Sequence, residues 1–82
     1  MKLAVHICSF IGENYRERFI YLKKIVKNYL IINKNIHIFI HTNKVSKKYK
    51  LKKVKYVVHN LQNENPFELQ RRVNGVMTNT RL

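Results

Sequence analysis

Carboxylate chemistry in this chain rests on four side chains, Glu13, Glu17, Glu64 and Glu68, because the sequence contains no aspartate. No two of them stand closer than four positions. A divalent metal that bridges a diphosphate is hard and asks for several oxygen ligands in near-octahedral array. That demands a close pair of carboxylates, and the spacing supplies none. Glu17 and Glu68 each follow an asparagine by three residues, Asn14 and Asn65. This is the spacing of a capping box at a helix start, so capping is their expected task. Glu64 could supply one ligand at most.

The four histidines suggest metal binding, but their spacing opposes it. His37 and His41 share a strand face yet stand roughly 13 Å apart, at about 3.3 Å per residue, too far to hold one ion. His41 and His59 fall at strand ends, where open parallel sheets bind ligands. Two imidazoles without oxygen or thiolate ligands beside them make a poor site. Ordinary, partly buried histidines are the expectation. A Ser9–His41 pair would lack the aspartate that orients the imidazole of a hydrolase. Cys8 is the single cysteine, so no intrachain disulfide forms. It reads as a small buried hydrophobe and fits a reducing, cytoplasmic location.

Phosphate chemistry has more to work with. The chain carries 17 Lys and Arg and a net charge of +13, a field that attracts phosphates, nucleic acid or anionic lipid. The same richness in Lys, Asn, Ile and Tyr is what an AT-rich coding sequence produces, and both readings stay open. Neither a G-x-G-x-x-G nor a G-x-x-x-x-G-K-[ST] loop is present. Gly12 alone lies in the first turn. The helix that follows could receive an anion on its free amides with Arg16 and Arg18 near it, or present a solvated basic turn. Residues 44–55, with Tyr56 directly after them, interleave Tyr49 with Lys47, Lys48, Lys50, Lys52, Lys53 and Lys55. Lysines on phosphates and tyrosines under bases would suit single-stranded nucleic acid; a solvated loop is the plainer alternative. No RNP, KH or zinc-finger signature accompanies them.

The elements that must position these residues are legible from periodicity. Residues 3–8 are nearly continuous in apolar character, as in a strand covered on both faces. A turn at 9–13 leads to a helix over 15–31, capped by Asn14. Its stripe is Phe19, Leu22, Val26, Tyr29 and Leu30. Residues 36–41 form a second strand with Ile36, Ile38 and Ile40 on one face. Residues 53–59 form a third, half polar at its start and so nearer an edge. Asn65-Pro66-Phe67-Glu68 opens a second helix that runs to about Gly75.

The expected fold is α/β: a small Rossmann-like βαββ unit with a three-stranded, mainly parallel sheet, one long helix and a short second helix. Its crossover should be right-handed. Residues 1–72 make the one domain, and 73–82 read as a frayed or aberrant tail where periodicity disappears. The first apolar run is far shorter than the roughly 20 residues of a membrane span. A domain this small buries about 60–65% of its unfolded surface, so stability should be marginal. One long helix would leave the other sheet face apolar and open to self-association.

Three stretches carry a resemblance. They are Leu3-Ala4-Val5-His6-Ile7-Cys8-Ser9-Phe10, His37-Ile38-Phe39-Ile40-His41-Thr42-Asn43, and Asn65-Pro66-Phe67-Glu68-Leu69 followed by Arg71 and Arg72. Together they resemble the N-terminal part of a GT-A-type glycosyltransferase, over residues 2–72. The resemblance implies a nucleotide sugar as ligand. Ser9, Phe10 and Gly12 would flank the nucleotide, and Arg71 or Arg72 would hold its phosphates. In such enzymes an Asp-x-Asp motif binds manganese or magnesium, and this chain departs from the pattern by having no aspartate. The metal is therefore expected only for a full-length relative, and the chain reads as a fragment without the metal motif or acceptor domain. It is expected to be inactive alone.

Overall fold

The computed structural model describes residues 3–80. Its elements are β1 (Ala4–Cys8), α1 (Tyr15–Ile32), β2 (His37–Thr42), β3 (Lys55–Val58) and α2 (Pro66–Thr80). The strands form one sheet in the order β1-β2-β3, with both pairings parallel. The expected three-stranded α/β unit is therefore the observed one. Register sets Ala4 opposite His37 and Cys8 opposite His41, then Phe39 opposite Lys55 and Thr42 opposite Val58. Amide bonds just past the strands prolong the ladder, Ser9 N–H to His41 O at 2.8 Å and His59 N–H to Thr42 O at 2.9 Å.

The sheet order makes β2 the central strand, and burial follows from that. Ile38, Ile40, His41 and Thr42 are all buried. β1 lies at an edge and is only half-buried, not covered on both faces as its apolar run suggests. Helix α1 packs on the Ile38–Ile40 face through Leu22 and Val26, with Ile7, Phe19, Tyr29 and Tyr56 around them. Burying each large aliphatic contributes about 1.5–3 kcal/mol as an upper figure. On the other face α2 covers the C-terminal end of the sheet. There Leu61, Leu69 and Val73 pack with Cys8 and Phe10. By strand alternation the rest of that face carries His6, His37, Phe39 and Lys55, so it is mixed in character where an apolar surface was expected.

Local details depart from expectation in instructive ways. Asn14 adopts the left-handed conformation, φ 58°, and makes no side-chain cap bond, so the Asn14–Glu17 capping box does not form. Asparagine tolerates that conformation better than most residues, and the turn uses it for backbone reversal. Asn65 does cap α2: Glu68 N–H donates to its Oδ1 at 2.8 Å. The Glu68 carboxylate, however, accepts from Gln62 N–H at 3.1 Å and Asn63 N–H at 3.0 Å, bracing the loop before the helix. α2 also runs through Gly75 to Thr80, past its expected end, and Val73 is a core residue where a tail was expected. Leu69 and Val73 stand one turn apart on the same buried face, and that packing offsets the roughly 1 kcal/mol a helical glycine costs. Residues 81–82 of the expected tail lie outside the described residues. Among the described residues no helix is long and apolar enough to cross a membrane.

Candidate functional site

The C-terminal ends of the parallel strands converge on the turn after β1, and Asn43 locks that turn in place. Directly after β2, its Oδ1 accepts from Ile11 N–H at 2.8 Å, while its Nδ2 donates to Ile11 O at 3.1 Å and to Glu64 Oε2 at 3.2 Å. One buried side chain thus ties the first turn to the loop before α2. Thr42 hydroxyl donates to Lys44 O at 3.0 Å and fixes the start of the next loop. Glu64 and Glu68 are both engaged in holding backbone or side-chain donors. Among the described residues no group of three or more histidines, cysteines or carboxylates is gathered for a metal.

Two clefts border the turn. The larger, about 440 Å³, lies between β1 and α1, with Cys8, Ser9, Phe10, Tyr15, Arg18 and Tyr21 in its lining. The smaller, about 190 Å³, is lined by Phe10, Gly12, Glu13, Tyr15, Arg18 and Pro66. Phe10, Tyr15 and Arg18 serve both. The Ser9 hydroxyl bonds to the Tyr15 hydroxyl. Burial pushes the Tyr15 pKa up, the Ser9 bond opposes it, and Tyr56 adds to the rise, so the phenol stays protonated at neutral pH. Burial likewise raises the Cys8 thiol, which disfavours the thiolate at neutral pH. At Gly12 an added Cβ would stand 3.1 Å from Phe10 Cε1, so the turn passes close against that ring.

The structure gathers Ser9, Phe10 and Gly12 and adds Arg18 to them. Arg71 and Arg72 are exposed on α2 and line neither cleft. Arg72 instead acts on His59, where burial first and the arginine second lower the imidazole pKa. The aromatic residues of the lysine loop are committed elsewhere. Tyr49 packs edge-on to Tyr15 with centroids 5.2 Å apart, and Tyr56 hydroxyl accepts from Leu51 N–H at 2.7 Å. Lys47, Lys50, Lys52, Lys53 and Lys55 are exposed. Of the loop lysines, Lys48 meets residues of α1 in a groove.

A histidine array crosses the sheet at the same end. His6 Nδ1 lies 2.8 Å from His41 Nε2, and His41 Nδ1 lies 2.8 Å from His59 Nε2. A neutral imidazole has one donor and one acceptor nitrogen. The two bonds must therefore run in one direction, with His41 accepting at one side and donating at the other. A shared zinc ion would hold its nitrogens more than about 3 Å apart, with bonds of roughly 2.0–2.1 Å, so this is hydrogen-bond spacing. Burial, then His59, then His6 lower the His41 pKa. The sequence expectation of ordinary histidines missed this array. Its signal was the alternation His37-x-Phe39-x-His41, but His6 enters only once register places it opposite Phe39, on whose ring it stacks at 5.0 Å.

No family model, curated protein or solved structure matches the chain.

Proposed function

We propose that the chain is the nucleotide side of a glycosyltransferase-type unit, holding a nucleoside diphosphate of the kind that carries an activated sugar. The observation that carries this reading is the delivery of Ser9, Phe10 and Gly12 by β1 into clefts shared with Tyr15 and Arg18. Parallel α/β sheets bind ligands outside the carboxyl ends of their strands. Phe10 and Tyr15 supply apolar walls for a base. The Arg18 guanidinium supplies a fork suited to phosphate oxygens. Glu13 lines the smaller cleft and Glu17 the larger, and each repels an anion, so the diphosphate is expected against the Arg18 guanidinium, which lines both. Arg71 and Arg72 have no part in this reading.

Titration calorimetry with uridine and guanosine diphosphates tests it. Arg18→Gln is expected to weaken binding about tenfold, or ~1.4 kcal/mol, at the low end for a charge-assisted bond. No binding of either nucleotide at millimolar concentration, by chain shown folded by circular dichroism, sinks the proposal.

Sugar transfer by this chain alone is expected to be undetectable. Glu68 is held by two loop amides and Glu64 by Asn43, which leaves Glu13 and Glu17, four positions apart at the start of α1 with no aspartate to join them, a poor anchor for a metal on the donor diphosphate. The check is nucleoside diphosphate release from a sugar donor with and without manganese. Manganese-dependent release that disappears in Glu64→Ala would overturn this expectation.

A further inference from the structure

A third groove, about 530 Å³, lies between α1 and the loop that follows β2, lined by Arg16, Phe19, Ile20, Lys23, Lys48 and Tyr49. Three cations surround an aromatic floor, and no carboxylate is among the lining residues. Arg16, Ile20 and Lys23 follow helical spacing and share one face of α1. Lys48 is brought to them by packing: Tyr49 beside it sits 5.1 Å from Phe19 and 5.2 Å from Tyr15, centroid to centroid. Tyr49 N–H also donates to Ser46 O at 3.2 Å. Lys23 Nζ stands 5.5 Å from the Phe19 centroid and Lys48 Nζ 5.5 Å from the Tyr49 centroid, which holds both ammonium groups over the floor.

We infer that this groove binds the phosphodiester backbone of single-stranded nucleic acid, with Arg16, Lys23 and Lys48 neutralising separate phosphates. The spacing argues for a chain of charges over a single anion. Arg16 and Lys23 are about 10 Å apart along the helix axis at roughly 1.5 Å per residue, too far to converge on one phosphate. A concave groove between a helix and a loop admits a single strand but not a duplex. The rings of the floor are already engaged by each other and by the two lysines, so base stacking contributes little and binding is indifferent to sequence. The net charge of +13 speeds encounter but does not localise it; the groove does. This site is separate from the nucleotide clefts and does not depend on them.

The test is fluorescence anisotropy with a labelled oligothymidylate across a potassium chloride series. Two triple variants are compared, Arg16→Gln/Lys23→Gln/Lys48→Gln and, as a charge-matched control, Lys24→Gln/Lys34→Gln/Lys52→Gln. All six positions are exposed, so both variants should fold, which circular dichroism checks. The groove variant is expected to bind at least tenfold more weakly than wild type. Its log–log salt slope should shrink by about 2, from three phosphate contacts at roughly 0.7 each. The control should stay within threefold, with its slope unchanged. Equal losses in the two variants would show a general basic field and no site. An abasic oligonucleotide is expected to bind within threefold of the normal one, and a tenfold preference for bases would overturn the backbone reading. So would absence of wild-type binding at 50 mM salt, about the lower end of the range where such contacts are strongest.

Discussion

Ile40→Ala is expected to destabilise the chain by about 2–5 kcal/mol. Ile40 has no exposed surface and sits in the middle of the central strand, flanked in register by Ile7 and Tyr56. Leu22 and Val26 of α1 close over it. Removing its three outer carbons leaves a cavity that cannot collapse, because strands on both sides fix the backbone. A domain of this length holds roughly 4–12 kcal/mol in total, at about 0.05–0.15 kcal/mol per residue. The substitution therefore removes a large share, and much of the population unfolds. Urea unfolding followed by circular dichroism should show a lower midpoint with an unchanged slope. Ile32→Ala, at an 80% exposed position at the end of α1, should change stability by no more than about 0.5 kcal/mol. A loss below about 1 kcal/mol at Ile40 would mean that β2 is not the centre of the sheet.

Acid should destabilise the protein through His41. This imidazole is 1% exposed, both of its nitrogens are in hydrogen bonds, and its nearest ionisable neighbours are two more imidazoles. Across the array Arg72 of α2 acts on His59, Cys8 lies opposite His41 in register, and Lys55 of β3 reaches over Phe39. None of these groups favours a second positive charge. The folded pKa values of His41 and His59 are lowered from the ordinary histidine value of about 6.5. Between that value and the lower folded values the unfolded chain carries protons that the folded chain refuses. Stability therefore rises with pH in that window. It is fully present above about pH 6.5 and is lost as pH falls through the folded values. Unfolding midpoints measured at about pH 7.5 and pH 5 should differ in that direction. His37→Gln, at an exposed position on the same strand, should leave the difference intact. His41→Phe should reduce it, while costing about 1–3 kcal/mol overall because His6 and His59 each lose a partner. Stability that is flat or higher at the acid end would contradict the array.

Periodicity alone determined the strands at residues 3–8, 36–41 and 53–59, each to within a few residues, and the helix at 15–31. Their signals are local: apolar alternation or the apolar run, and a stripe at 3.6 residues per turn. The cap of α2 was equally legible, because Asn65 and Glu68 lie within one turn and need nothing distant to meet. The cap of α1 was not, since the chain's reversal at Asn14 is imposed by where β1 must end and α1 must begin. The length of α2 depended on Leu61, Cys8 and Phe10, which give Leu69 and Val73 a surface to bury against.

The candidate sites divide along the same line. Ser9, Phe10 and Gly12 are contiguous, so one turn carries them together and the sequence alone determined their grouping. Whether Arg18 or Arg71 and Arg72 would join them depended on which helix faces the turn, and that was decided by packing. Lys48 could be counted among the loop lysines, but only the aromatic contacts of Tyr49 bring it beside Arg16 and Lys23. His6 and His41 lie 35 positions apart, and the hydrogen bond between them exists because parallel pairing puts Cys8 opposite His41 and His6 one pleat away. Side-chain period is written in the chain itself. Register, strand order and the face each helix covers are settled by the joint burial of residues far apart, and so only the tertiary structure decides them.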